Sequence, residues 1–507
     1  MVGKNPAAHS RHRWPPNPSW GVCMISRKYL VFIVFAAILS LSSCSGTHNR
    51  CTTNCNVGGD ALLSVSISDT PPANTTVLSF TLPIVGITLT SSTGTQVPVF
   101  ASSAAANFEL TRLQSDSDVV ITNASVAAGT YTSLSVTVAA ASGVLINSGS
   151  TVGTCAAGAV CPLTGVPTTI TVPINITLSS NAHQWMDLDF NYNNAIDTST
   201  GIKINLGLAN VLAATTTVPT GVPSGDFANV DDFTGRVTAT PTVAGGITLS
   251  STARGSLTAT INGSTQVFDP QGQCSTAGIA TLSCIHVGSI VSLQGVLTNT
   301  GTVVATSLDI IDFSSTPVDE VEGTIYPSSC NGAGSFGMIL SDSAISTSGS
   351  PLASSPFGTG VCLTVSPTAT FPVDFGILTG QPGLPAPNAP GFRTSSDLLA
   401  GQTIRAKITG AATGTNSFIN ATATAMILRF SRLTGTVGTV SGPAFIINGL
   451  PTYITAFTVP PSVQTYTNAT LFENATNLAG TVSISALFYN PIGGPTQPLQ
   501  AAKVRQP

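Results

Sequence analysis

The chain has 507 residues, 42% of them hydrophobic and only 7% charged, with a formal net charge of −4; about 25% charged is usual. The hydrophobic share excludes a disordered chain, and the length calls for several domains. The missing basic surplus argues against nucleic acid as a partner, and low charge with abundant Thr, Val, Ile and Gly favours strands over helices.

Residues 1–23 are polar and Pro-rich, as in Trp14-Pro15-Pro16-Asn17-Pro18. Met24-Ile25-Ser26-Arg27-Lys28 would make an ordinary start, with a long leader as the alternative. The uncharged run Tyr29–Leu39 follows, then Ser40, Leu41, Ser42, Ser43 and Cys44. Basic, apolar and small residues in that order mark a secretory signal. The run falls short of the roughly 20 apolar residues that span a bilayer. The segment Leu41-Ser42-Ser43-Cys44 resembles the box of bacterial lipoprotein signal peptides, which implies cleavage before Cys44 and acylation of that cysteine. Ser45 behind it resembles the outer-membrane pattern of Gram-negative lipoproteins. Ordinary secretion with Cys44 as a bystander is the other reading. Five of the 17 basic residues and none of the 21 acidic ones precede Cys44, so cleavage would leave 12 against 21, a net charge of −9.

Cys23 and Cys44 belong to the leader and its box. Eight cysteines remain, in sequential pairs: Cys51 with Cys55, Cys155 with Cys161, Cys274 with Cys284 and Cys330 with Cys362. An even count in an exported chain reads as disulfides, and adjacent pairing is the simplest connectivity. The loop from Cys330 to Cys362 would gain most, roughly 3–4 kcal/mol on the chain-entropy picture. No pair has CxxC spacing, and only His48, His183 and His286 follow Cys44, so neither a metal site nor a cofactor is expected.

Residues 44–59 form a polar tether behind the leader of residues 1–43. From residue 60 to 212 alternation with period two dominates: Leu63-Ser64-Val65-Ser66-Ile67-Ser68, Val85-Gly86-Ile87-Thr88-Leu89-Thr90 and Leu134-Ser135-Val136-Thr137-Val138. Each reads as a half-buried strand. Trp185–Tyr192 puts Met186, Leu188, Phe190 and Tyr192 on one face. Phe108–Leu113 is at most a short helix. These signals predict an antiparallel β-sandwich. The blocks Leu63–Pro71, Phe108-Glu109-Leu110, Val126–Tyr131 and Asp187-Leu188-Asp189-Phe190 resemble domain-of-unknown-function family 4382, found in bacterial lipoproteins. That family has no assigned activity, so the resemblance implies no site residues.

A Thr/Pro/Gly linker occupies residues 213–230. Three units follow, at 231–316, 317–430 and 431–507, each opening on a Gly-bearing strand: Phe233-Thr234-Gly235, Val321-Glu322-Gly323 and Leu433-Thr434-Gly435. They are similar, more weakly, to domain-of-unknown-function family 5666. The fold class is therefore all-β, an N-terminal antiparallel β-sandwich followed by tandem small β-barrel-like domains that close to hide their edges.

Chemistry is scarce. Gly332-Ala333-Gly334-Ser335-Phe336-Gly337 fits G-x-G-x-x-G, but β-like Met338-Ile339-Leu340 follows where a helix is required. Asp187, Asp189, Asn191 and Asn193 resemble an EF-hand start, yet the required Gly and Glu are Tyr192 and Thr198. They read as a solvated polar face or, with Asp197, as a loose Ca²⁺ site. Asp231 and Asp232, Asp319 and Glu320, and Glu322 read as solvated junction charge, and His286 as structural. Trp185, the one Trp after Cys44, lies on the exposed or interdomain side of its strand. With no G-x-S-x-G or H-E-x-x-H motif, the expectation is a non-enzymatic lipoprotein, held at the outer membrane by its lipid. It would have a structural, adhesive or binding role toward envelope proteins or glycans. A glycan- or Ca²⁺-binding face at Trp185, Asp187, Asp189, Asn191 and Asn193 is the alternative, and a hydrolase with an unrecognised site comes third.

Overall fold

The computed structural model describes residues 59–506 except 244, 253, 270–271, 275–279, 314–317, 328–329, 331–334, 356 and 416–417. The leader, the lipidation residue Cys44, His48 and Gly332–Gly334 lie outside the described residues. So do Cys51 and Cys55, the first of the four expected disulfide pairs. No helix of the described residues is long and apolar enough to cross a membrane.

Period-two sequence becomes strand throughout. The first stretch builds β1 (Asp60–Asp69), β2 (Val77–Ser91), β3 (Gln96–Glu109), β4 (Ser117–Ala127), β5 (Gly129–Val138), β6 (Ser142–Ile146), β7 (Val160–Thr164), β8 (Thr168–Leu178), β9 (His183–Phe190), β10 (Ile196–Asp197), β11 (Lys203–Ile204) and β12 (Leu212–Thr215). The middle adds β13 (Asp226–Val237), β14 (Ile247–Ser251), β15 (Gly255–Ala259), β16 (Gln266–Phe268), β17 (Ile290–Thr298) and β18 (Val303–Asp312). The last third adds β19 (Asp319–Tyr326), β20 (Ser335–Ala344), β21 (Gly360–Thr370), β22 (Thr403–Thr415), β23 (Phe418–Ser441), β24 (Ala444–Asn448), β25 (Ser462–Gln464), β26 (Leu471–Glu473), β27 (Thr481–Phe488) and β28 (Leu499–Arg505). The expected short helix is a single 3₁₀ turn, Leu110–Arg112, capped by the Glu109 carboxylate.

Two sheets enclose the N-terminal core. One is antiparallel, β7-β6-β2-β5-β8 with β3 on the far side of β2. It packs Phe80, Leu82, Ile84, Leu134 and Val136 against Leu63, Val65 and Ile67 of β1 and Met186, Leu188 and Phe190 of β9. The second sheet departs from the expected all-antiparallel sandwich, because β1 and β9 run parallel. A parallel pair needs a long crossover, and the whole facing sheet supplies it.

The expected row of small β-barrel-like domains is not what the chain builds. Its strands are shared between mixed ten-stranded sheets that are not closed into separate barrels. The order β12-β9-β1-β4-β13-β17-β18-β16 carries the N-terminal sheet into the middle stretch, and β4 meets β13 at Ser117 and Val230. In the last third, β23 spans 24 residues; its first half pairs with β22 and its second with β24 and β27. A strand edge is covered by the neighbouring unit, which removes the need for each unit to hide its own.

The Gly in each opening strand has one physical reason. A Cβ would lie 3.0 Å from Ser250 backbone at Gly235, 2.1 Å from the Ile339 carbonyl at Gly323 and 2.5 Å from the Asn448 carbonyl at Gly435. Each is a close crossing of the next strand, which only a residue without Cβ permits. Disulfides join Cys155 to Cys161, Cys274 to Cys284 and Cys330 to Cys362. These are three of the four sequential pairs expected; the bridge expected between Cys51 and Cys55 falls outside the described residues.

Candidate functional site

The alternation in β1 predicts a solvated serine face, but Ser64, Ser66 and Ser68 are all buried. The same reversal holds for charge. Fifteen of the 21 acidic residues are buried, as are Arg112, Arg254, Arg405, Arg429, Lys503 and Arg505. A chain poor in charge has placed most of it inside.

The densest cluster lies where the sandwich, the middle stretch and the last third meet. Period two puts Glu320 and Glu322 on one face of β19, and Arg405 of β22 reaches both, Nε to Glu320 at 2.7 Å and Nη1 to Glu322 at 3.1 Å. The 3₁₀ turn delivers Arg112, whose Nη1 lies 2.6 Å from Glu322 and Nη2 2.9 Å from Asp232 of β13. Arg429 of β23 gives Nη2 to Asp232 at 2.9 Å, approaches Glu322 with Nε at 3.4 Å and pairs through Nη1 with Asp374. Arg432 closes on Asp232 as well. Four arginines thus face four carboxylates, and Asp232 alone joins Arg112, Arg429 and Arg432. Burial would raise the Glu322 carboxyl, but Arg112, Arg429 and Arg405 outweigh it and hold it down at about 2.

These positions correct a sequence reading. Asp232, Glu320 and Glu322 are not solvated junction charge but are at most 2% exposed. Asp319, also buried, accepts the backbone N–H groups of Ser346 and Thr347. The Asp231 side chain lies outside the described residues. What the sequence lacked was any sign that the arginines, up to about 200 residues away in the chain, would arrive at the same point.

Satellite pairs extend the cluster. Arg254 meets Asp118 at 3.1 Å and lies over the Phe233 ring, 4.6 Å from its centroid. On β28, Lys503 pairs with Asp116. Arg505 pairs with Glu473 at 3.2 Å and donates to Ser68 Oγ at 3.2 Å. The last strand of the fold is thereby tied to the first.

The acidic run of β9 scatters among different partners. Asp187 is buried and accepts from Ser66 and Ser68, each at 2.5 Å, so it is no solvated face. Asp189 is raised by its burial, against the pull of Arg505. Asn191 caps the 3₁₀ turn Tyr192–Ala195, Asn193 donates to Thr75 Oγ1 at 2.8 Å, and Asp197 turns to Lys203 at 3.5 Å. Among the described residues no group of three or more His, Cys, Asp or Glu is placed to hold a metal ion.

Trp185 lies on the interdomain side of β9. It is 4% exposed, donates Nε1–H to Ser66 Oγ at 2.9 Å and stacks on Phe227 with centroids 6.1 Å apart. It is no exposed platform, but it floors a cleft of about 340 Å³ between β8, β9, the linker and β13. His183 is exposed with Nδ1 3.1 Å from Asn123 Oδ1, and His286 rests edge-on against Phe313 at 5.0 Å. Neither has a nucleophile and carboxylate arranged around it in these contacts. After the first Gly residues, the G-x-G-x-x-G segment enters β20, a strand and not the helix a dinucleotide site needs. The cavity beside Arg112, Gln114 and Arg432 measures about 30 Å³, room for a water or two and not for a substrate.

A family model described as a domain of unknown function (DUF4382) matches residues 60–217. A domain of that family therefore spans the sandwich, β12 and the start of the linker. No curated protein matches the chain.

Proposed function

We propose that this protein is a bacterial cell-envelope lipoprotein with a structural, adhesive or binding role and no catalytic one, held at the outer membrane through acylated Cys44. The observation that carries the reading is the order of Arg27-Lys28, the apolar run Tyr29–Leu39 and the box Leu41-Ser42-Ser43-Cys44. The disposition of charge supports it. Buried ion pairs occupy the acids and bases that general acid–base chemistry would need at a cleft, and the cleft at Trp185 has no Asp, Glu, Lys or Arg in its lining. We read the three Gly-led units of residues 231–507 as related copies similar to family 5666, because the same close strand crossing recurs at Gly235, Gly323 and Gly435.

Anchoring is tested by cell fractionation and labelling with a radioactive fatty acid. The native protein is expected in the membrane fraction with label, and Cys44→Ser in the soluble fraction without it. A Cys44→Ser protein that stays labelled or membrane-bound contradicts the reading.

A further inference from the structure

The geometry points to a second property: the cleft floored by Trp185 is a binding site for a neutral saccharide. The inference deepens the binding role proposed above and names its place and ligand class. At about 340 Å³ the cleft falls within the size range of small-ligand sites. It opens between β8, an end strand of one sheet, and the first residues of β9, which β12 leaves uncovered, and the linker closes its third side.

Its chemistry is two-layered. The floor is the stacked pair Trp185 and Phe227, held in place because the indole N–H is fixed on Ser66. The rim carries Asn175, Thr216 and His183, all exposed or half-buried, and Gln184, whose amide donates to the Thr177 carbonyl at 3.2 Å. An ionic ligand would lose hydration there with no Asp, Glu, Lys or Arg opposite it, a cost that nothing in the lining offsets. A purely apolar ligand would leave the amides and hydroxyls of the rim unmatched. A neutral sugar satisfies both layers, its C–H face on the half-buried Phe227 ring that Trp185 backs and its hydroxyls on the rim.

The full chain, solubilised in detergent micelles, is titrated with maltotriose, cellotriose and chitotriose, and in parallel with a trimer of uronic acid and a neutral extended hexapeptide. Trp185 emission is the readout, and Trp185→Phe gives the background signal. The expected result is a saturable change with at least one neutral trisaccharide at a Kd of about 1 mM or tighter, weakened about tenfold or more by the double substitution Asn175→Ala, Thr216→Ala. Silence from all three, a response confined to the uronic acid or the peptide, or a response unchanged in the double variant overturns the inference. In micelles the titration does not depend on acylation, so its failure leaves the anchoring reading standing, and the reverse holds.

Discussion

At the residue scale, the decisive side chains are the buried carboxylates, and two of them respond to pH in opposite senses. Glu322 is held at about 2 in the fold, below its unfolded value near 4.3. Its contribution is therefore present above about pH 4 and lost as pH falls toward 2. Glu322→Gln would leave Arg112, Arg405 and Arg429 short of a partner, and breaking such a buried pair costs about 3–5 kcal/mol. Urea denaturation at pH 7 checks this, and a loss below 1 kcal/mol, taken as the rough limit of exposed pairs, would deny the cluster its role. Asp309 behaves the other way. Burial raises it to about 7, with Arg429 pulling down and Asp232 pushing up, and its Oδ1 lacks a hydrogen-bond partner. The unfolded chain ionises near pH 3.9 while the fold resists until about 7, so stability drains away across that window. Asp309→Asn is expected to raise the melting temperature at pH 8 and to do little at pH 4.

At the element scale, the opening glycines are the clearest link from sequence to packing. Gly323→Ala drives a Cβ to within 2.1 Å of a backbone carbonyl, an overpacking expected to cost about 1–3 kcal/mol. Gly263→Ala, at a site with nothing within 4 Å and no positive φ, is the matched control and should be near neutral. Equal melting temperatures for the two variants would remove the close-crossing explanation. The strands themselves were legible because period two shows in every sheet: Leu63, Val65 and Ile67 face the core as read. Which strands pair was not legible. Nothing local in Ser117 or Val230 announces that β4 meets β13, and the length of β23 hides the boundary between the last two units. The serine face of β1 looked solvated because alternation reports only the difference between two faces, not what covers the polar one. The junction charges were misread for the same reason: Asp232 and Glu322 find Arg112, Arg405 and Arg429 only through tertiary contacts. Alternation leaves Trp185 on the exposed or interdomain side of β9, and its burial depends on Phe227, which lies beyond the linker.

At the scale of the whole molecule, an excess of acid is sealed inside. Burial raises Asp69, Glu109, Glu320, Asp342 and Glu473 along with Asp309. Each gives up its proton at a higher pH in the fold than in the unfolded chain, Glu320 and Glu473 against the pull of Arg405 and Arg505, so each subtracts stability as pH rises above about 4. Glu322 sets the limit on the acid side. The protein should melt at a higher temperature at pH 5 than at pH 8, and the opposite order would mean that the buried acids are ionised and fully paired. The surface left behind is rich in Ser, Thr, Asn and Gly.

Buried ion pairs join the DUF4382 domain to the sheets that follow, so the described chain is expected to unfold as one body. The ion pairs of Arg112 with Asp232 and Glu322 and of Lys503 with Asp116 cross that divide, as does the hydrogen bond from Arg505 to Ser68. Differential scanning calorimetry of the native protein tests it most directly. One transition is predicted, with calorimetric and van't Hoff enthalpies in agreement. Two or more separate transitions, or a first transition left unmoved by Glu322→Gln, would contradict it.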